Sequence, residues 1–376
     1  MKRLSKKQLV DRGYFVAISL IWLAIGWFLR GWFISDEFAM LQNIRAIVER
    51  DFPGDVPELE TMSFAAAKAM LETLDDPYAI IIPPPASHKF DADFAGEAGN
   101  TGLVPNFIDG RLTVEFVLAD SPAEGADVRV GDILLAVDDV PVTPATSLTE
   151  VSLLLRGPVG TQAKLVVQRG DNQLTLTPVR QERVAVEWDI LENDIGYIAQ
   201  HTFTTNAPAK FEEALTAVLA TNPSAIIWDL RNNGGGSLLA TQEILSFFID
   251  DGLLFKALLK DGEEELFTAT GDAIAADIPL LVLVNENTIS AAEISAAVIQ
   301  ERGRGITIGA QTFGKGTIQN MAPVGNGHLL EYTIGSWVTA NGTSYQSVGL
   351  SPHIQAPDDL STAVDETMMM ALDQLK

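Results

Sequence analysis

LLVLVNENTISAAEISAAVIQ, residues 280–300, is the stretch that decides the fold. Its apolar beginning, Leu280 to Val284, is short and rich in β-branched residues, which predicts a buried strand. Its Ala-rich end, Ala291 to Gln300, predicts a helix. Ser290 lies between the two, directly before the predicted helix. The stretch therefore predicts a strand-turn-helix unit that presents a serine hydroxyl at its turn.

A lysine follows this unit, because Lys315 lies in the glycine-flanked stretch FGKGT, residues 313–317. A serine nucleophile with a lysine base can perform acyl transfer, which also needs backbone donors for the developing oxyanion. The Ala291 N–H has no intrahelical partner and is predicted to be such a donor. Because the ordinary lysine pKa of about 10.4 keeps the amine charged at pH 7, burial must make Lys315 neutral.

A second glycine-rich turn, DLRNNGGG at residues 229–236, also follows an apolar strand and precedes a helix. Two such units place both turns at the carboxyl ends of neighbouring parallel strands, where open α/β sheets bind ligands. Glycine lets the main chain approach a substrate closely. This glycine-rich turn is therefore predicted to supply the second oxyanion donor, and the three glycines in a row leave open which of them does so.

The amine of Lys315 also needs an uncharged partner. If residues 315–321 form a strand, Lys315, Thr317 and Gln319 share one face, so Gln319 is a candidate to orient the amine. A structural alternative exists, since Ser290 and Glu293 match a capping box in which the serine only caps the helix. The joint occurrence of the serine, the lysine and a second glycine-rich turn favours the catalytic interpretation.

These motifs resemble a known family. Residues 284–293, 314–319 and 229–236 are similar to the three core motifs of the C-terminal processing peptidases, also called tail-specific serine proteases. The resemblance implies an α/β protease core with a crotonase/ClpP-like sheet and helices. The roles that it implies are Ser290 as nucleophile, Lys315 as general base, Gln319 as its orienting partner, and Ala291 with Gly235 or Gly236 as oxyanion-hole amides.

The similarity continues at GLSPHI, residues 349–354, where His353 replaces the aspartate that the family usually has. We interpret His353 as structural or exposed rather than catalytic. The LDDPY run at residues 74–78 resembles the segment that ends the family's helical N-terminal region. It is interpreted as a landmark without chemistry of its own.

The part ahead of the core resembles a PDZ domain, a small mainly-β domain, at DSPAEGA, residues 120–126, and VGDIL, residues 130–134. A PDZ domain binds an extended peptide as an added strand and holds its terminal carboxylate with backbone amides. The resemblance implies a carboxylate loop at Thr101, Gly102, Leu103 and Val104, although a second glycine is usual where Val104 stands. The alternative is a small β domain that only braces the core.

The N-terminus predicts a membrane anchor. Residues 14–29 are uncharged and mostly apolar, and extension to Ile34 gives enough length to span a bilayer. Basic residues precede the segment and Asp36 and Glu37 follow it, which places the catalytic part outside the cytoplasm, in a periplasmic or extracellular position. A cleaved signal peptide is the rival, but no small-residue cleavage pattern follows Leu29, so a retained single-pass anchor is favoured.

Composition argues against several kinds of partner and cofactor. The chain of 376 residues carries a formal net charge of −25, which argues against a nucleic-acid partner. It has no cysteine, and its four histidines lack metal-ligand spacing, so neither a metal nor another cofactor is expected. The predicted regions are 1–35, a cytoplasmic tail and membrane anchor; 36–93, a helical N-terminal region; 94–183, the PDZ domain; 184–357, the catalytic α/β core; and 358–376, a C-terminal helix.

The sequence thus predicts a membrane-anchored serine endopeptidase that cleaves unfolded or C-terminal segments of extracytoplasmic proteins, with the PDZ domain gating access. Its expected partners are proteins or peptides with accessible C-termini. One alternative is a non-catalytic PDZ scaffold with an inactive protease core, and another is a crotonase-like enzyme acting on a thioester. The sequence leaves open the physiological substrate and whether a homo-oligomer or a regulatory partner controls the protein.

Overall fold

The computed structural model describes residues 36–118, 120–182, 184–271, 273–358 and 364–376. The predicted tail and membrane anchor at residues 1–35 lie outside these residues. Within the described ranges, no helix combines the length and the apolar character that a membrane span requires. The chain divides into two compact units, with the boundary between Ala69 and Met70.

The described part of the first unit is helical, in agreement with the predicted N-terminal region. Helix α1 (Asp36–Asp51) carries an exposed Arg45–Glu49 ion pair at 2.6 Å, one turn apart on the helix. Helix α2 (Leu59–Glu72) begins in this unit and ends just beyond the boundary. Its run of alanines and other strong helix formers explains why it is helical.

The second unit begins with a short strand and continues into the small β domain. In chain order its elements are β1 (Ile80–Ile82), α3 (Phe90–Ala95), β2 (Leu103–Ile108), β3 (Arg111–Val117), α4 (Pro122–Gly125), β4 (Ile133–Val137), β5 (Val140–Pro141), α5 (Leu148–Leu155), β6 (Leu165–Arg169) and β7 (Asn172–Leu176). The strands form one sheet in the order β2-β3-β4-β6-β7, with β5 on β4. Strand β2 is therefore an edge strand, and helix α5 lies beside it.

Helix α5 forms for local reasons. Ser147 caps its beginning, because its side-chain oxygen accepts the Glu150 N–H at 3.1 Å. Val151, Leu154 and Leu155 are buried in the core of the β domain. At its end, Lys89 Nζ donates to the Leu154 carbonyl at 2.7 Å, which satisfies an acceptor that the helix leaves unpaired.

The remaining residues form the core, which alternates strands and helices as predicted. Its elements are β8 (Val186–Leu191), β9 (Ile195–Gln200), α6 (Ala207–Leu219), β10 (Ala225–Asp229), α7 (Leu238–Ser246), β11 (Leu253–Leu259), β12 (Glu264–Thr268), β13 (Leu280–Val284), α8 (Ala291–Glu301), β14 (Ile306–Gly309), β15 (Thr317–Gly325), β16 (His328–Thr339), β17 (Ile354–Gln355) and α9 (Glu366–Gln374).

Two sheets organise this core. The first has the order β17-β14-β13-β10-β9-β8 and is parallel except for its edge strand β8. The second is antiparallel, with the order β1-β16-β11-β12 and β15 paired to β16. The sequence did not predict the second sheet, in which β16 pairs with two strands far away in the sequence, β1 and β11.

Apolar side chains cover both faces of the parallel sheet. On one face, a buried cluster joins helices α6 to α8 with the second sheet through residues such as Phe211, Trp228 and Trp337. On the other face, Ala371 of helix α9 packs against Ile227 and Leu281. The predicted C-terminal helix therefore packs on the core.

Candidate active site

The two glycine-rich turns meet as the sequence predicts. Strands β10 and β13 are parallel neighbours, with Asp229 opposite Leu283, so both following loops leave the same edge of the sheet. Main-chain and asparagine groups join these loops. The Asn232 N–H donates to Asn285 Oδ1 at 3.0 Å, and the Ile289 N–H donates to the Asn233 carbonyl at 2.9 Å.

Ser290 occupies a strained backbone position at the start of helix α8. Its φ of 57° and ψ of −117° lie outside the conformations that a residue other than glycine commonly adopts. Such strain persists only where surrounding contacts enforce it, and it is frequent at catalytic residues. The side chain is half-buried, and the following residue, Ala291, is fully buried with its N–H in the first turn of the helix.

The glycine loop packs directly against this serine. A side-chain carbon added to Gly235 would lie 2.9 Å from the Ala291 nitrogen and 3.0 Å from Ser290 Cβ. At Gly236, φ is 147°, and an added carbon would lie 2.4 Å from the Phe203 carbonyl oxygen. Only glycine fits at these positions, so the main chain of the loop reaches the vicinity of the hydroxyl.

The two glycines differ in the availability of their amides. The Gly235 N–H donates to Asn233 Oδ1 at 2.9 Å. In the described part of the chain, no such partner is present for the Gly236 N–H. Asn233 is itself fully buried and donates from Nδ2 to the Gln200 carbonyl at 2.7 Å, which fixes the loop. Gly236 is therefore the better candidate for the second oxyanion donor.

A buried carboxylate that the sequence interpretation used only as a helix cap joins the two predicted catalytic segments. Glu293 is fully buried, and its Oε2 accepts the N–H groups of Ser290 and Lys315, both at 2.9 Å. Its Oε1 accepts the Thr312 hydroxyl and the Gly314 N–H, both at 2.6 Å. The bond from the Ser290 N–H is local and belongs to the capping box that the spacing predicted. The bonds from residues 312, 314 and 315 join a segment that is distant in the sequence.

Lys315 lies in the loop that Glu293 holds. Its carbonyl accepts the Trp337 indole N–H at 2.8 Å, which fixes the main chain on its other side. Its amine lies 4.5 Å from the centroid of the Tyr78 ring. Burial lowers the pKa of Lys315, and the charges of Glu331 and Glu293 oppose that shift in part. The environment thus favours the neutral amine that a base requires.

The side chains of the predicted catalytic residues are not joined by hydrogen bonds. Among the described residues, the Lys315 amine has no hydrogen bond to Ser290 or to Gln319. The Gln319 amide instead donates to the hydroxyls of Thr317, at 2.9 Å, and Thr333, at 3.3 Å. The predicted strand over residues 315–321 was wrong in its start, because β15 begins at Thr317 and its register shifts between Ile318 and Gln319.

The LDDPY landmark contributes to this pocket, which the sequence did not indicate. The Asp76 carboxylate accepts the Thr333 N–H and hydroxyl, both at 3.1 Å, and the Tyr78 N–H at 3.0 Å. Burial raises the pKa of Asp76, but the hydrogen bonds from Tyr78 and Thr333 outweigh it and lower the pKa overall. Asp76 therefore fixes the backbone of Tyr78, whose ring faces the lysine.

Arg231, at the start of the glycine loop, binds three carboxylates. Its guanidinium donates to both oxygens of Asp229, at 2.7 to 3.1 Å, and reaches Asp358 at 3.1 Å and Asp365 at 2.8 Å. The Tyr197 hydroxyl also donates to Asp229 at 2.9 Å. These contacts join the loop to the start of helix α9. The sequence analysis did not identify this role of Arg231, and its place in the DLRNNGGG motif was the only signal.

The predicted peptide-binding residues lie at the open edge of the β domain. Thr101 is buried, and its carbonyl accepts the Ala123 N–H at 2.8 Å. Gly102 has a φ of 81° and packs against Ser121, so the turn requires glycine. Leu103 and Val104 begin edge strand β2, and Val104 is exposed.

His353 has a structural contact. The Thr307 N–H donates to its Nδ1 at 3.2 Å, and the His353 N–H donates to the Thr307 hydroxyl at 2.9 Å. These bonds join two neighbouring segments of the parallel sheet. Within the described ranges, no group of three or more potential metal ligands is present.

Comparisons with known proteins show the family of this chain. Residues 194–356 match the family model of Peptidase family S41, and residues 113–169 match that of the PDZ domain. A carboxyl-terminal-processing protease of Synechocystis sp. is 31% identical over 329 residues, which cover 83% of this chain and 77% of that protein. A chloroplastic C-terminal processing peptidase of Tetradesmus obliquus is 29% identical over 325 residues, with coverage of 81% and 70%.

A solved structure shows the same fold. The photosystem II D1 C-terminal processing protease superposes with a TM-score of 0.61 at 27% identity, and the match covers 88% of this chain and 90% of that one. The similarity therefore extends over the β domain and the core together.

Proposed function

The chain belongs to the S41 family of carboxyl-terminal processing serine peptidases, and we propose that it is a membrane-anchored endopeptidase that cleaves extracytoplasmic proteins near their C-termini. The family resemblance that the sequence motifs suggested is confirmed, as are the α/β protease fold with a PDZ domain and the serine-peptidase activity class. The residue roles, the membrane anchor and the gating by the PDZ domain are the proposed part.

The observation that carries the proposed roles is the packing of the Gly235 main chain against Ser290 and the Ala291 amide. In the proposed reaction, Ser290 Oγ attacks the scissile carbonyl, and the oxyanion lies between the N–H groups of Ala291 and Gly236. Lys315 Nζ takes the hydroxyl proton and gives it to the leaving amine. Water then hydrolyses the acyl-enzyme, with Lys315 again accepting a proton.

The contacts of Lys315 support its role as the base. A lysine in water is almost wholly protonated at pH 7, but burial lowers the pKa of Lys315. The backbone N–H groups of Ser290 and Lys315 both donate to Glu293 Oε2. This shared acceptor keeps the lysine loop next to the serine turn. In this role the Gln319 side-chain oxygen accepts a hydrogen bond from the amine, which requires a shift of the side chains because the described residues show no such bond.

The open edge of strand β2 supports tail binding by the PDZ domain. An extended substrate segment can add to this edge as a further strand, with its terminal carboxylate at the loop of residues 101–104. Helix α5 forms the other wall of the groove. Because a tail must be unfolded to add as a strand, unfolded or flexible C-termini are the proposed substrates.

The sequence supports the anchor and the location. Residues 14–34 supply a sufficiently long, mostly apolar segment with basic residues in front of it. The PDZ and catalytic domains then lie on the extracytoplasmic side of the membrane. The substrates would be exported or envelope proteins.

A nucleophile test decides the proposal. The full-length protein in detergent micelles is offered an unfolded protein, and cleavage is compared between wild type and Ser290→Ala. We expect cleavage by wild type only, together with Ser290-dependent labelling by a fluorophosphonate probe. Equal cleavage by both would remove Ser290 from the mechanism, and absence of both cleavage and labelling would favour the scaffold alternative.

A further inference from the structure

The edge of β2 to which the proposed function assigns substrate tails contains a proline. Pro105 is the third residue of this strand and pairs with Val114 of β3, after a register shift that leaves Glu115 of β3 without a counterpart on β2. Proline has no N–H, so its main chain can only accept a hydrogen bond. What a bound peptide gains at this residue therefore depends on the side to which the main chain of Pro105 faces.

The contacts of Val114 show which side this is. Its N–H donates to the Asp132 carbonyl at 2.8 Å, and its carbonyl accepts the Gly131 N–H at 2.9 Å, so both groups bond on the β4 side of β3. Opposite residues of an antiparallel pair exchange either two main-chain bonds or none. Pro105 therefore makes no main-chain bond to Val114, and its nitrogen and carbonyl face the open edge of the sheet.

The neighbours of Pro105 follow from the alternation of main-chain direction along a strand. Leu103 and Phe107 face the open edge with Pro105, and Gly102 faces β3. The Gly102 carbonyl does accept the Leu118 N–H on that side, at 2.8 Å. From residue 103 to residue 107, the open edge thus offers three carbonyl acceptors but only two N–H donors. The gap lies at residue 105, directly after the carboxylate loop.

The missing donor matters most for a free terminal carboxylate. Two residues that form a hydrogen-bonded antiparallel pair exchange both of their N–H···O bonds. A tail whose last residue lies opposite Pro105 gives its N–H to the proline carbonyl, but its carboxylate meets the proline ring where an N–H would be. Hydrogen bonds to an ionised group are about twice as strong as those between neutral groups, so a charged terminus loses more here than a neutral one.

The segment that supports the carboxylate loop is acidic. The Ala123 N–H donates to the Thr101 carbonyl at 2.8 Å, and Glu124 follows directly. The Glu124 carboxylate accepts the Asp120 N–H at 2.8 Å. Glu124 and Asp120 are both exposed. Two negative charges on the segment that contacts the loop oppose the approach of a third.

We propose that Pro105 makes the PDZ groove insensitive to the terminal charge of its ligand, so that it takes extended, unfolded segments whether or not they end in a free carboxylate. The inference rests on the proposed function and specifies how its PDZ domain selects substrates. A tail can place its carboxylate at residues 101–104, but this contact contributes little to the affinity. The affinity comes from main-chain bonds at Leu103 and Phe107 and from apolar side chains such as Phe107, which is exposed. Pro105 is thus a specificity-determining residue, not a catalytic one.

Two peptides that differ only at their ends test this proposal. Full-length Ser290→Ala protein in nonionic micelles is titrated with a short fluorescent peptide of apolar C-terminal sequence, as the free acid and as the C-terminal amide. We expect the two Kd values to agree within about threefold. When Pro105→Ala is added, which restores the N–H, the acid should bind about tenfold more tightly than the amide. Pro141→Ala, at an exposed proline on β5 of the same sheet, is the matched control and should keep the original ratio.

The ratio of the two Kd values separates this role from a structural one. Both peptides meet the same protein, so any effect of the substitution on the strand itself cancels. A proline that only protects an exposed edge from pairing with other chains predicts equal gains for acid and amide in the Pro105→Ala variant. Equal gains would overturn the proposal, as would a preference of about tenfold for the acid while Pro105 is present.

These outcomes differ from a failure of the proposed function. If the PDZ domain does not bind tails, neither peptide binds to any of the variants, and the role of Pro105 is refuted together with tail binding. If both peptides bind and the ratio ignores Pro105, only the specificity proposal is wrong. Cleavage that depends on Ser290 is measured separately and does not enter the ratio.

Discussion

The two sides of the active site are built on different supports. The nucleophile side consists of the loops after β10 and β13, two strands whose residues are all buried in the middle of the parallel sheet. The lysine side consists of the loop before β15 and the β15–β16 hairpin, where β15 has no fully buried residue and the far end packs into the PDZ core. The serine is therefore positioned by the buried parallel sheet, whereas the lysine precedes a hairpin whose far end packs into the PDZ core.

The two sides therefore have supports of different rigidity. Strain at Ser290 needs a rigid frame, which the asparagine contacts and the sheet supply. The hairpin that follows Lys315 is shared between the PDZ domain and the protease core, so its position depends on the packing of both. Glu293 is the link between the sides, because its carboxylate bonds both.

The largest expected effect comes from removing the base on the lysine side. Lys315→Met keeps the apolar length of the side chain and removes the amine. We expect kcat/KM for Ser290-dependent cleavage to fall by about 1,000-fold, within the range typical of general bases, while the fold is retained. The control is Lys260→Met, an exposed lysine outside the site. Cleavage within tenfold of wild type would show that another group is the base.

The pH dependence tests the lysine side without a mutation. Burial lowers the pKa of Lys315, and below that pKa the rate should rise about tenfold per pH unit and then level off below the ordinary lysine value near 10.4. The unfolded chain keeps the ordinary pKa and binds more protons between the two values. The free energy of unfolding should therefore rise with pH in that window. A rate that is flat from pH 6 to 9 would argue against a lysine base.

Glu293→Gln breaks the link between the sides. The amide replaces one acceptor oxygen by a donor, which then faces the N–H groups that the carboxylate now accepts. We expect the free energy of unfolding to fall by about 3 kcal/mol and kcat/KM to fall about 30-fold. Glu286→Gln, exposed in the loop that precedes Ser290, is the control. Stability and cleavage that match those of the control would mean that the two sides do not depend on this carboxylate.

The two sides also differ in how far the sequence predicts them. Strand β13, the turn at Ser290 and helix α8 follow from one local run of residues, and β13 and α8 were predicted within one residue of their observed bounds. The neighbouring glycine turn followed from the same pattern. These features depend on periodicity and on helix-start chemistry, which are local properties of the chain.

The lysine side depends on contacts between distant segments. Asp76 bonds Thr333 across 257 positions of sequence, and no local pattern indicates that Tyr78 faces Lys315. The register shift at Gln319 likewise arises from pairing with β16 and breaks the alternation from which a shared face was predicted. Glu293 was visible as a helix cap, but its bonds to residues 312–315 were not.

Small cavities can test whether the proposed PDZ gating acts through the lysine side. Ile82→Val removes one methylene from the core that the hairpin and the PDZ domain share, and Ile226→Val removes the same group beneath the nucleophile side. Each should lower the free energy of unfolding by about 1 kcal/mol. We expect only Ile82→Val to change the stimulation of cleavage by a C-terminal peptide. Equal changes in both variants would show that the two sides respond together.

The smallest effect is expected at the outer anchor of the nucleophile side. Asp365→Asn keeps an N-cap side chain for helix α9, whose Met368 N–H it accepts at 2.7 Å, and removes the charge that faces Arg231. Because the carboxylate is 46% exposed, its pair with Arg231 should contribute less than about 1 kcal/mol.

Burial raises the pKa of Asp365, but the hydrogen bonds from Arg231 and Met368 lower it overall, so the pair stabilises the folded chain above the ordinary aspartate pKa and is lost as the pH falls through the lowered one. Unfolding of wild type and Asp365→Asn should therefore differ at pH 7 and converge at strongly acidic pH. At pH 7 the cleavage rate should change less than twofold, because Asp229 still holds Arg231 through three bonds. A drop in cleavage rate of more than twofold, with the free energy of unfolding nearly unchanged, would mean that helix α9 positions the oxyanion loop. The nucleophile side would then depend on contacts outside the parallel sheet, as the lysine side does.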